Sequence, residues 1–189
     1  EGKGMGLTQI ICADPTGNGL ELDCAASDWW MNVSPSNALR IANLSICSTV
    51  LNLGVGLKIS GGSLEGRPRA ACVLDHIEIR AKDSINNQAF LTGLWLNDCG
   101  DMHAVGCRFI NGGTTNMTPT AVKISATDAT TDPTVFNFDH CEWYYGGIGL
   151  TSGDNPEGSY LTQCTMVGVE KGVVWTAAAE SGLHVIGGH

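Results

Sequence analysis

Charge is scarce in this chain. Asp, Glu, Lys and Arg make up 15% of its 189 residues, against about 25% in an average soluble domain. Basic residues are scarcest. Lys and Arg total 10 and form no run, and the formal net charge is −9. Clustered cations are what replace counterions on a phosphate backbone, so nucleic-acid binding is not expected. No uninterrupted apolar stretch reaches the ~18 residues of a membrane span, so no membrane insertion is expected. Strong helix formers do not cluster, which excludes a coiled coil or helical bundle. No CxxC or Cys/His zinc spacing occurs among the eight cysteines, so neither a metal nor a cofactor is expected. Reduced, buried thiols made in a reducing cytosol are the expectation, because three cysteines fall at one repeat position.

What is present is 25 glycines, 43% hydrophobic residues, and Val, Ile, Leu and Thr in short bursts, the pattern of many short strands. Two strand patterns alternate. The first places a small residue before alternating apolar ones: Gly19-Leu20-Glu21-Leu22, Gly56-Leu57-Lys58-Ile59, Gly93-Leu94-Trp95-Leu96, Ala121-Val122-Lys123-Ile124, Gly147-Ile148-Gly149-Leu150 and Gly172-Val173-Val174-Trp175. Its leading apolar residues lie 37, 37, 28, 26 and 25 positions apart. The second pattern falls between these: Asn43-Leu44-Ser45-Ile46, His76-Ile77-Glu78-Ile79, Gly106-Cys107-Arg108-Phe109, His140-Cys141-Glu142-Trp143 and Gln163-Cys164-Thr165-Met166. A strand points alternate side chains to opposite faces, so each unit has an apolar and a polar face. Such units bury a continuous core only by stacking. The expected fold class is therefore all-β, a right-handed parallel β-helix of about six to seven coils. Residues 1–189 would form one domain, a fragment of a longer chain because both ends look cut. An antiparallel sandwich is the main alternative.

Gly2-Lys3-Gly4, Thr8-Gln9-Ile10-Ile11, Gly17-Asn18-Gly19-Leu20-Glu21-Leu22 and the run from Asp98 to Phe109 resemble coils of pectate-lyase-like right-handed β-helices. The subset most resembled is the bacteriophage tailspike and capsule-depolymerase group. That resemblance implies a homotrimer on the virion tail, assembled in the host cytoplasm, which binds and depolymerises bacterial capsular or O-antigen polysaccharide. A non-catalytic structural or adhesin-like protein and a secreted, free-standing polysaccharide lyase are the competing readings. The aspartate cluster of the family's calcium-dependent lyases is missing.

The outward positions supply the candidate site. With Leu20, Leu57, Leu94, Val122, Ile148 and Val173 inward, Glu21, Lys58, Trp95, Lys123, Gly149 and Val174 form one outward row. Trp95 reads as a sugar platform or as subunit packing, and Lys123 as a contact for an anionic sugar group or a solvated cation. The second row stacks Glu78, Arg108 and Glu142. Two carboxylates two strands apart, about 9–10 Å between backbones, approach the separation of an inverting glycosidase, so Glu78 and Glu142 are the candidate catalytic pair. A solvated charge ladder is the plain alternative. His76, Arg108 and His140 are candidate substrate contacts, with a histidine also able to act as a base. Asp154, in the loop Gly153–Gly158, is a further candidate, and Trp29-Trp30 a platform or a lid. Asp75 and Asp139, each preceding a histidine, are expected to cap turns.

Overall fold

A computed structural model gives the structure for residues 8–14, 17–23, 39–51, 53–61, 72–83, 85–99, 102–113, 115–125, 135–153, 158–176 and 182–189. Thirteen strands account for most of them: β1 (Gln9–Cys12), β2 (Leu20–Asp23), β3 (Leu39–Ser48), β4 (Leu53–Ser60), β5 (Cys72–Ala81), β6 (Phe90–Asn97), β7 (Met102–Val105), β8 (Arg108–Ile110), β9 (Thr120–Ser125), β10 (Phe136–Asp139), β11 (Glu142–Ser152), β12 (Gly158–Trp175) and β13 (Gly182–Gly188). No helix occurs among the described residues, as the β-branched, glycine-rich composition demands.

All paired strands run parallel. The pairing closes on itself. β5 bonds β7 along its first half and β8 along its second. β7 bonds β10, β10 bonds β12, β12 bonds β11, and β11 returns to β8. These six strands form a closed parallel barrel. β1 and β3 extend it beyond β5, while β9, β6, β4 and β2 extend it beyond β11. β13 lies outside β12.

This corrects the expected fold. The chain is not a right-handed parallel β-helix of six to seven coils, and the pectate-lyase-like, tailspike-group resemblance does not carry over. The physical cause is continuity. β5 and β12 do not stop between the two sequence patterns but pass through a bend at a left-handed residue, His76 (φ 51) or Gln163 (φ 49). One strand thus joins two lines of partners, and the ring closes without an edge between them.

The core follows the alternating apolar positions. Ile10, Ile46, Ile79, Phe109, Trp143 and Met166 lie in register across neighbouring strands. Phe109 stacks on Trp143 at 5.7 Å between ring centroids, and Phe138 meets the same indole at 5.7 Å, tilted by 59°. Both geometries suit aromatic quadrupoles. Each such side chain, fully buried, stabilises the fold by roughly 1.5–3 kcal/mol. The described cysteines are free. Cys107, Cys141 and Cys164 are buried and each donates its thiol to a backbone carbonyl of a preceding strand, that of Leu74, Ala104 and Phe138 respectively.

One register differs from expectation. Leu150, not Ile148, stands opposite Val122 and Val173, and Thr151, not Gly149, stands opposite Lys123. Tyr145 (φ 59) and Gly146 (φ 103) make a bend that lets Ile148 fall opposite Thr120. A side chain on Gly146 would press within 2.4 Å of the Asn111 carbonyl oxygen, so glycine is required there.

Candidate functional site

The strip that concentrates polar chemistry runs across β5, β7, β8, β10 and β11. Its register is set by the buried rows beneath it. Glu78 stands opposite Arg108, and Arg108 opposite Glu142. Asp75 stands opposite Val105, and Val105 opposite Asp139. The residues after these, His76, Gly106 and His140, all adopt the left-handed conformation, with φ of 51°, 58° and 51°. Five of the expected site residues, His76, Glu78, Arg108, His140 and Glu142, therefore share one strip.

The two histidines are not ordinary strand residues, as the alternating pattern suggested. They occupy bends, and each is oriented by the carboxylate before it. Asp75 Oδ1 meets His76 Nδ1 at 2.5 Å, and Asp139 Oδ1 meets His140 Nδ1 at 2.8 Å. Expected turn caps are thus partners for the imidazoles instead. Asp75 also accepts from Arg40 Nη2. Hydrogen bonds from His76 and then Arg40 hold the Asp75 carboxyl below its ordinary range, because both favour the charged form. Both imidazoles face solvent, with side chains 53% and 62% exposed.

The carboxylate pair is asymmetric. Glu78 is buried, and its Oε2 accepts from Ser45 Oγ at 2.9 Å and from Arg80 Nε at 2.9 Å. Arg80 is itself anchored to the carbonyls of Ala81 and Lys82. Glu142 is more open and accepts from Arg108 Nε at 2.6 Å. That bond pushes the Arg108 guanidinium further up from an already high value, so this cation is permanent. Each carboxylate thus has its own arginine, bound through a charge-assisted hydrogen bond.

Trp95 and Lys123 lie elsewhere, on the β4–β6–β9 face. Lys58 and Lys123 stand opposite Trp95 on either side, with their ammonium groups 5.1 and 4.6 Å from its ring. Trp95 Nε1 donates to Ser125 Oγ at 2.7 Å, and Ser125 Oγ donates to Asn97. With a lysine over each side of its ring, Trp95 is tied into a cation–π stack. Lys58 is also paired with Glu21 at 2.5 Å. Asp154 and the Trp29-Trp30 pair lie outside the described residues. Among the described residues no group of three or more His, Cys, Asp or Glu side chains is placed to hold a metal.

Sequence reasoning passed over four residues of the same surface. His103, Asn137, Tyr160 and His184 form an in-register row that begins at Arg40 and Val73. This row lies two positions before the Asp75–Val105–Asp139 row. Tyr160 and His184 stack at 4.8 Å with planes 11° apart. The signal was parity alone: His103 and Tyr160 alternate with buried neighbours, but each stands singly in its segment. Four of the chain's five histidines thus face the same way as the Asp–His pairs or flank them.

No family model matches the chain, no curated protein matches it, and no solved structure matches it, so a tailspike, phage or depolymerase identity has no support beyond the resemblance first noted.

Proposed function

We propose that the β5–β7–β8–β10–β11 strip is a binding surface for polysaccharide and that it holds the chain without cleaving it. The observation that carries this reading is the strip of planar polar groups, the Asp75–His76 and Asp139–His140 pairs beside the in-register row Glu78, Arg108 and Glu142, with the stacked rings of Tyr160 and His184 nearby in sequence register. Polyhydroxylated ligands are recognised by such side chains. Carboxylates and imidazoles accept from hydroxyls, guanidinium groups donate, and rings cover the apolar faces of sugars. Adjacent strands lie about 4.8 Å apart, close to the length of one sugar unit, so a chain crossing the strands meets one row of side chains per unit.

Binding without cleavage follows from the carboxylates. Glu78 is only 9% exposed and committed to Ser45 and Arg80. It cannot approach a glycosidic oxygen from that position, and Glu142 alone does not complete a two-carboxylate mechanism. Bacterial capsular and O-antigen polysaccharides are the first ligands to try. The test is a panel of these, together with chito-, cello- and malto-oligosaccharides, scored both for capture and for cleavage products. Capture of a glycan without new reducing or unsaturated ends is expected, weakened about tenfold by Arg108→Ala. Failure to capture any member, or cleavage that Glu142→Gln abolishes, would reject the reading.

A further inference from the structure

We infer that the strip contains two equivalent subsites, matched to a polysaccharide that presents the same face at every second sugar unit. The inference rests on the binding reading above and adds the repeat of the ligand.

The sequence writes the subsite twice, as Asp75-His76-Ile77-Glu78 and Asp139-His140-Cys141-Glu142. The strands between them carry Val105-Gly106-Cys107-Arg108 in the same four positions. The same Asp, His and Glu positions therefore recur after two strand spacings, roughly 9–10 Å, with a different set halfway. Backbone geometry repeats as well: φ is 51° at His76 and 51° at His140. So does the chemistry. In each copy the carboxylate takes the Nδ1 side of the ring. The neutral imidazole then carries its proton on Nδ1 and offers Nε2 as an acceptor. Each subsite thus asks for a hydroxyl donor.

The intervening position keeps the two apart. A Cβ on Gly106 would lie 2.9 Å from His76 Nε2. The ring of His76 leans over that glycine, and a side chain there would displace it. Two positions beyond Gly106, Arg108 supplies donors in the row of the glutamates. The surroundings repeat in outline too. Arg40, on the strand before β5, bonds Asp75. His103, on the strand before β10, occupies the register position toward Asp139 that Arg40 occupies toward Asp75. The copies differ at the glutamates, since Glu78 is closed off by Arg80 while Glu142 is reached by Arg108. The Asp–His pairs are therefore the equivalent parts.

A ligand that fits has an extended backbone with successive units turned over, or two alternating sugars. Either one returns the same hydroxyls every second unit. A coiled chain of α-linked glucose does not.

Titration calorimetry with the chito-, cello- and malto-oligosaccharides of two to six units, and with size-graded fragments of any capsular or O-antigen chain captured on the panel, tests this. His76→Asn and His140→Asn are the variants, because Asn43 already occupies the same bend with φ 57° and asparagine tolerates it. Affinity should rise between two and three units, the length that first spans both subsites. Each variant should lose about fivefold, the worth of one hydrogen bond, and the double variant should lose the dependence on length. Binding that both variants leave intact, that only one of them weakens, or that does not grow with length would overturn the paired subsites while the binding reading stood. Capture of no glycan by the wild type would overturn both.

Discussion

Asp75 shows how one side chain ties the surface to acid stability. It stands between His76 Nδ1 and the Arg40 guanidinium, and these hold its carboxyl below its ordinary range. A depressed folded value means that the stabilisation is complete above the unfolded value, about 3.9, and is lost as pH falls through the folded one. Asp75→Asn should therefore lower the urea midpoint at pH 7, with the gap to wild type closing as pH drops from 4 toward 2. Arg40 is 63% exposed, so solvent screens its share and added salt should narrow the gap at neutral pH. A gap that stayed constant from pH 7 to pH 2 would show that the Asp75 carboxylate contributes no charge-dependent stability. Asp139 keeps the imidazole partner, His140, and offers the natural comparison.

At the scale of elements, the load is carried by apolar rows that cross the strands, and Trp143 is the largest fully buried side chain in them. Phe109 and Phe138 both pack on its ring, while its Nε1 finds no hydrogen-bond acceptor. Two effects oppose each other on substitution. Trp143→Phe leaves a void beside Phe109 and Phe138, yet removes an unsatisfied buried N–H, worth about 1–3 kcal/mol. Trp143→Ala leaves a far larger void, costing about 3–5 kcal/mol. Chemical denaturation should thus find the Phe variant within about 1.5 kcal/mol of wild type and the Ala variant well below it. Equal losses would mean that the indole nitrogen is satisfied by water in solution.

These rows were also the legible part of the sequence. Alternation at Leu44–Ile46, Ile77–Ile79, Cys107–Phe109 and Cys141–Trp143 marks strands with one buried face, and the all-β class follows from it. The way the strands join was not legible. A short apolar run reads the same whether its strand ends or continues through a bend, and the bends of β5 and β12 sit at His76 and Gln163, residues that carry no turn signal of their own. The continuity of those two strands is what closes the ring and overturns the β-helix. The slip at Ile148 has a related origin, since Tyr145-Gly146-Gly147 reads equally well as a turn or as strand. Glu78, Arg108 and Glu142 were legible as an outward row because they share parity with a clear buried pattern. The burial of Glu78 was not, because it depends on Ser45 and Arg80, which approach from other positions. The approach of Lys58 and Lys123 to the Trp95 ring was not legible either, because it depends on the register of β4, β6 and β9.

For the molecule as a whole, the barrel closes one ring but leaves a flank open. β13 is paired to β12 alone among the described strands. It exposes Val185 and Ile186, 63% and 57% accessible. Beside them Leu161, Met166, Val169 and Val173 line a hollow of about 430 Å³. A parallel edge strand with β-branched side chains is a template for another strand, and the hollow beside it adds apolar area to be covered. The net charge of −9 opposes contact between copies, and that repulsion weakens once salt shortens the screening length to about 8 Å or less. Light scattering should therefore record a mass that rises with protein concentration and rises further with salt. Ile186→Lys places a charge on the edge strand without opening the core, since surface changes of this kind usually alter stability by less than about 0.5 kcal/mol. It should suppress that association at every salt concentration while leaving the thermal midpoint nearly unchanged. Association of undiminished strength in Ile186→Lys would move the contact away from β13, to the Trp95 face or to the polar strip. In the latter case the glycan panel should compete with it.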